Sequence, residues 1–220
     1  MTDFSRSRID MVDRYKRGGY IQTKQMEEAV LVVPREEFMD PRFRDYAYID
    51  RPFPIPGDGR QTISAPYMYP TTYEPLKLEP GMKVLEIGAG SGYGAALAKE
   101  LVEADGIVIT VEINKETHAF AERNLKMAGY DVEVILGDGS LGYTELAPYD
   151  AISVTASTPD IPPPLLTQLD VGGRLIAPVG GRSMEGQDLL LVHKTEIGLT
   201  RKSLMKVVYV PLLGRYGFPG

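Results

Sequence analysis

Lys83-Val84-Leu85-Glu86-Ile87-Gly88-Ala89-Gly90-Ser91-Gly92-Tyr93 decides how the rest of the chain is read. An apolar run of strand length breaks into three alternating glycines, and an alanine-rich helical stretch follows to about residue 103. Glycine lets the backbone adopt positive φ and lets a ligand approach with no Cβ in the way. The helix behind the turn aims unbonded N–H groups at whatever is held there. Strand, glycine turn and helix in this order open a doubly wound α/β sheet that binds a cofactor. A tight turn with no ligand would use the same glycines, so the neighbouring residues must decide.

Gly90-x-Gly92-x-x-Ala95 fits the dinucleotide fingerprint, with an acid, Glu112, about twenty residues further on. Two acids argue for a different cofactor. Glu86 lies inside the strand, just before the first glycine, where a carboxylate is costly unless it is paired or hydrogen-bonded. It would repel a pyrophosphate and suits a cation; as an isolated residue it could equally cap a helix. Asp138, in Gly137-Asp138-Gly139, stands at another strand end. Acids after three successive strands line a crevice with carboxylates. S-adenosylmethionine (AdoMet) carries a sulfonium and an ammonium and has no phosphate, so it fits such a crevice better than NAD does.

The remaining composition narrows the class. The 220 residues allow one large domain, or one with a small appendage, and 43% hydrophobic with 25% charged residues is ordinary for a globular protein. A net charge of −6 argues against general affinity for nucleic acid. With no cysteine, disulfides, thiolate metal sites and cysteine nucleophiles are excluded; no metal is implied. The polar opening residues and the lack of an apolar run of spanning length lead us to expect a cytoplasmic protein that avoids the membrane; the sequence does not fix the oligomeric state, and a monomer is the default.

Residues 5–17 place Ile9, Met11 and Val12 at helical spacing, ended by Gly18-Gly19. Residues 22–33 repeat the pattern with Met26, Ala29, Val30 and Val33 on one face, and a short third helix follows at 34–38. Residues 51–56 are too rich in proline for a helix or a central strand, 57–60 read as a turn, and 61–68 as a small-residue loop that either lies near a ligand or is a plain surface linker. From Pro80 an α/β rhythm begins: strand 82–87, helix 92–103, strand 107–112, helix 115–128 capped by Asn114, and strand 132–136 leading into a loop. Strand 150–155, a proline-broken helix near 161–169, strand 173–179, a polar loop, strand 187–195 and a β-rich run 204–211 complete it. The last two have no helix between them and are expected antiparallel. The expected fold is α/β and Rossmann-like: a mostly parallel seven-stranded sheet with an antiparallel edge pair. Residues 1–79 form a helical appendage with a substrate loop, 80–220 the cofactor core, together one compact unit.

Open α/β sheets bind ligands beyond the carboxyl ends of their strands. Those ends are Glu86 to Gly92 (with Gly88, Gly90 and Ser91), Glu112, Asp138-Gly139 and Thr155-Ala156. By position, Glu112 can accept both ribose hydroxyls and Asp138 the adenine amino group. Glu86-Ile-Gly-x-Gly-Ser-Gly-Tyr93 resembles the first motif of the protein-L-isoaspartate (D-aspartate) O-methyltransferases, a class I methyltransferase family. Gln61-Thr-Ile-Ser-Ala-Pro66 resembles that family's loop before the sheet. Further resemblance lies in Val33-Pro-Arg-Glu-Glu-Phe38, Gly137-Asp-Gly139, Pro148-Tyr-Asp150, Gly172-Gly-Arg-Leu-Ile-x-Pro-Val-Gly180 and Val210-Pro-Leu212, so it covers nearly the whole chain.

The resemblance implies methyl transfer from AdoMet to the free carboxylate of L-isoaspartyl and D-aspartyl residues in damaged peptides and proteins, with repair through a succinimide. It places Ser64 beside the reacting carboxylate as a hydrogen-bond donor, with Thr62, Ile63 and Ala65 forming the substrate wall. A hydroxyl bonded only within its own turn is the plainer reading of Ser64. His118 and His193 are read as structural. The chain departs from the family pattern at Arg60, inserted before Gln61, at Tyr67, and over Tyr69 to Tyr73, while Glu74-Pro75 is expected to interrupt the helix leading to the sheet. Arg60 could draw in an anionic substrate or be a solvated loop charge. The alternatives are a related methyltransferase acting on RNA or a small metabolite, and an AdoMet-binding module without catalysis.

Overall fold

A computed structural model describes residues 3–181 and 186–219. Part of the polar loop expected before residue 187 lies outside the described residues. The large sheet has seven strands: β3 (Lys83–Ile87), β4 (Ile107–Glu112), β5 (Glu133–Leu136), β6 (Tyr149–Val154), β7 (Leu169–Val179), β8 (Gln187–Thr195) and β9 (Gly198–Val207), in the spatial order β5-β4-β3-β6-β7-β8-β9. Strands β3 to β7 pair in parallel, and β8 runs antiparallel to both β7 and β9. The strand order reverses between β3 and β6, and a crevice opens beyond their carboxyl ends.

Helices α4 (Tyr93–Val102), α5 (Lys115–Met127) and α6 (Pro163–Gln168) make the crossovers. Asn114 caps α5, its side chain accepting from the Glu116 and Thr117 amides at 3.0 and 3.1 Å. No helix joins β5 to β6; two single turns of 3-10 helix take its place. Alternation along the central strands sends Val84, Val108 and Ala151 to one face and Leu85, Ile109 and Ile152 to the other, and each face has its own apolar core. The first core continues into the N-terminal elements through Met11, Met26 and Phe38, so it crosses the boundary at residue 80.

Before the sheet come α1 (Phe4–Arg17), α2 (Lys24–Val32), 3-10 turns at Arg35–Phe38 and Pro41–Tyr46, a minimal hairpin of β1 (Phe53–Pro54) and β2 (Thr62–Ile63), and α3 (Met68–Leu76). On α1 the buried face is Met11, Val12 and Tyr15, while Ile9 is exposed. Two expectations are corrected. Glu74-Pro75 does not interrupt a helix: α3 runs through both residues. Pro70 falls in the first turn, where an N–H needs no partner, and Pro75 in the last, which Lys77 closes in a left-handed conformation. The final strand spans 198–207, not 204–211. A two-residue turn pairs Thr195 with Gly198 and sets its register; its exposed, polar first half hides the strand from an apolar pattern.

Candidate active site

Two adjoining cavities lie above the reversal point and share Thr62, Gly88, Gly90 and Thr155 in their walls. The first is floored by one rung of the sheet. Thr110, Glu86 and Ser153 are register partners on β4, β3 and β6 and face the same side. Flanked by apolar residues on each strand, they form a polar row. Thr110 donates to one Glu86 carboxyl oxygen at 2.8 Å, and the Tyr73 hydroxyl donates to the other at 3.2 Å. Burial raises the Glu86 pKa to about 8, more than these two donors lower it, so the free carboxyl is mostly protonated at neutral pH. Burial and the neighbouring Glu86 push the Tyr73 phenol well above its ordinary range. Ser153 Oγ is buried without a hydrogen-bond partner in this floor.

The roof and sides of the first cavity come from distant segments: Thr62, Ile63 and Ser64 of β2 and the turn after it, Tyr69, Thr72 and Tyr73 of α3, and Tyr209 beyond β9. Ser64 therefore sits across one cavity from Gly88 to Ser91. Ala65 is buried just outside the lining, where its carbonyl accepts from Met68 at 3.0 Å and starts α3.

In the second cavity, Glu112 is nearly buried at the end of β4. Its two carboxylate oxygens accept from the Gly90 amide at 3.2 Å and the Asn114 amide at 2.9 Å. Burial raises its pKa, opposed by those amides. Gly90 has φ +54°, and a Cβ built there would meet nothing closer than 3.9 Å, so its bare backbone faces open space between the cavities. Gly92 has a different part. It lies outside both linings, and a Cβ there would come within 2.9 Å of Leu125; its small size lets α4 pack on α5. Ser91 is buried, with its hydroxyl accepting from the Tyr93 amide at 3.3 Å, while Thr155 Oγ1 donates to the Gly88 carbonyl at 2.7 Å and fixes the turn.

Gly139 lines the second cavity, but Asp138 does not. One Asp138 oxygen accepts from the Ser140 amide and hydroxyl at 2.9 and 2.7 Å, the other from the Arg215 amide at 2.8 Å. It thereby ties down the tail whose residues 210–213 wall the second cavity. His118 bonds the Val134 carbonyl at 2.9 Å, and neither histidine is in the wall of either of these two cavities. Arg60 pairs with Asp58 across the hairpin tip, its side chain largely exposed.

Sequence reasoning tied residues 67–73 to the shape of the pocket without giving any of them a role, and did not assign Ser153, Tyr209 or the tail to the site. Thr110 and Ser153 become notable only through their register beside Glu86. Val210-Pro-Leu212 was visible as a motif without a role.

An orphaned hydroxyl, a buried acid and a bare glycine backbone in one cleft fit a ligand with an amino acid end and a nucleoside end. The chain matches the family model for protein-L-isoaspartate(D-aspartate) O-methyltransferase over residues 6–217. It is 52% identical over 218 residues to a protein-L-isoaspartate O-methyltransferase of Methanopyrus kandleri, covering 98% of this chain and 95% of that protein. A protein-L-isoaspartate O-methyltransferase 1 of Archaeoglobus fulgidus is 46% identical over 217 residues, with 98% and 97% covered. A solved protein-L-isoaspartate O-methyltransferase superposes with a TM-score of 0.84 at 31% identity, covering 96% of this chain and 67% of that one. A Plasmodium falciparum structure described as a protein-L-isoaspartate O-methyltransferase in complex with S-adenosyl-L-homocysteine superposes at 0.83, with 26% identity and 94% and 98% covered.

Proposed function

The chain belongs to the protein-L-isoaspartate (D-aspartate) O-methyltransferase family, and from that premise we propose how its own residues carry out methyl transfer from AdoMet to isoaspartyl carboxylates. When bound, AdoMet supplies an electrophilic methyl group on a sulfonium. Glu86 and Ser153 serve the amino acid end, Gly88, Gly90 and Ser91 the turn, Glu112 the ribose, and Gly139 with residues 210–213 the adenine. Thr155 holds the turn in shape. Gly92 supports it from behind, and Asp138 acts through the tail it anchors as well as at the adenine edge.

The substrate needs no base, because a carboxylate with a reference pKa near 4 is already ionised at neutral pH. What the chain must supply is alignment. Holding oxygen, methyl carbon and sulfur in line supplies on the order of 7–11 kcal/mol. Ser64 orients the oxygen by donating a hydrogen bond, Thr62 and Ile63 shape the wall, Ala65 sets the start of α3 behind them, and Tyr69, Tyr73 and Tyr209 exclude water.

The observation that carries this reading is the meeting of Ser64 with the Glu86–Ser91 turn in a single cavity. Transfer of labelled methyl to an isoaspartyl peptide, with the matching aspartyl peptide as control, tests it. Equal labelling of both, or none with AdoMet bound, would overturn it. Nucleic acid is not expected as a partner of a chain with net charge −6. A monomer in the cytoplasm is the working form we infer. Exposed Arg201, Lys202 and Lys206 on edge strand β9 discourage strand pairing between copies; sedimentation and cell fractionation test this. The appendage (1–79) and core (80–220) act as one unit, a reading supported by their shared apolar core.

A further inference from the structure

Arg35 is wholly buried at the head of the first 3-10 turn. Its Nε donates to the Ala47 carbonyl at 2.8 Å, and its Nη2 to the Ser64 carbonyl at 2.7 Å. Nη1 has no hydrogen-bond partner. The guanidinium lies 5.3 Å from the ring centre of Tyr93 and 5.7 Å from that of Tyr69. Glu36, the adjacent residue, is taken by Arg8 at 2.8 Å and by the Tyr48 hydroxyl. Among the described residues no carboxylate forms an ion pair with Arg35. A buried cation with only neutral partners is expensive to keep, and two carbonyls could be held by neutral donors.

The cavity in front of Arg35 offers a reason. Ser64 and Tyr69 touch Arg35 on one side and line the cavity on the other. Among the described residues no lysine, arginine or histidine lines either cavity, whereas Glu86 and Glu112 do. An incoming carboxylate therefore meets protein acids and no cationic side chain in the cavity walls. Through a wall one residue thick, in a low-dielectric interior, a fixed positive charge is weakly screened.

We propose that Arg35 is a positioning residue with a second, electrostatic role. It holds the Ser64 turn by its carbonyl and supplies the positive potential that selects an anionic side chain in the substrate. This rests on the assignment of Ser64 above. The reaction joins an anion to a sulfonium methyl and leaves an ester and a thioether, so charge on the substrate oxygen falls as the bond forms. A fixed cation therefore favours the bound substrate more than the transition state. Its loss therefore raises KM and leaves kcat unchanged or somewhat higher.

The test compares two peptides on protein loaded with S-adenosylhomocysteine: an isoaspartyl peptide, and its isoasparaginyl counterpart with a neutral amide in place of the carboxylate. If wild-type protein does not distinguish them, the anion-binding reading of the Ser64 site fails before Arg35 is reached. Given discrimination, Arg35→Met is expected to weaken the isoaspartyl peptide about tenfold or more and the neutral peptide less than about twofold, with kcat within about threefold. Equal weakening of both peptides, or of neither, overturns the proposal. Should Arg35→Met fail to bind S-adenosylhomocysteine, Arg35→Lys decides: it keeps the charge and is expected to hold the anion-to-neutral affinity ratio within about threefold of wild type. A ratio falling to about one with S-adenosylhomocysteine still bound overturns the proposal.

Discussion

Glu86 ties the chemistry of the cleft to pH. Its pKa is raised by burial from 4.5 in an open environment to about 8 in the fold. Between those values the folded chain holds a proton that the unfolded chain has lost. Stability of the free protein is therefore expected to fall as pH rises from about 4.5 to 8 and to level off above; urea unfolding across that range, with Glu86→Gln flattening the slope, checks it. A ligand ammonium favours the ionised carboxylate, so binding below pH 8 must expel the proton. Calorimetry of S-adenosylhomocysteine at pH 7 in buffers of different ionisation enthalpy is expected to show release approaching one proton, and Glu86→Gln to abolish it. Glu86 could be picked out because an acid inside an apolar strand is costly anywhere else. Ser153 escaped because a lone serine in a strand is unremarkable until its register beside Glu86 is known.

The elements around the sheet were legible where one period dominates and obscure where short segments are fixed by distant contacts. Strands β3, β4 and β6 and helices α4 and α5 follow from apolar spacing and caps. The hairpin of β1 and β2 has two pairs of facing residues and no pattern to find. Helix α3 was hidden by its two prolines, which fall at its ends. A single Glu74 carboxylate oxygen accepts from the Gln22 and Thr23 amides at 2.7 and 2.9 Å and from the Thr23 hydroxyl at 3.2 Å. This joins α3 to the capped start of α2. Glu74→Ala is expected to cost about 1–2 kcal/mol of stability, read by urea unfolding, with kcat little altered. Arg60, at the hairpin tip, already has Asp58 as its partner. Arg60→Ala is expected to leave the KM for an isoaspartyl peptide unchanged at low salt, which a steady-state assay at about 20 mM salt decides.

Across the whole molecule, the cleft is enclosed by segments far apart in sequence. Residues 62–64 wall one side, and Tyr209 with residues 210–213 wall another. The tail is pinned by Asp138 to the Arg215 amide and by Ser140 to the Tyr216 amide at 3.0 Å. Gly214 sits hard against that pin: its φ is +135°, and a Cβ there would lie 2.0 Å from an Asp138 oxygen. Gly214→Ala is expected to lift the tail and weaken S-adenosylhomocysteine about tenfold, mainly through faster release, as stopped-flow displacement would show. The overall sheet was legible from its alternation of strands and helices, but this closure was not, since no local pattern in the last ten residues says which strand end they cover. Enclosure by late residues also orders events during synthesis. A nascent chain that has emerged only through β9 carries Glu86 and Glu112 and has no cover over the second cavity. The cleft is then expected to hold a ligand only once residues 208–216 have emerged and found Asp138 and Ser140.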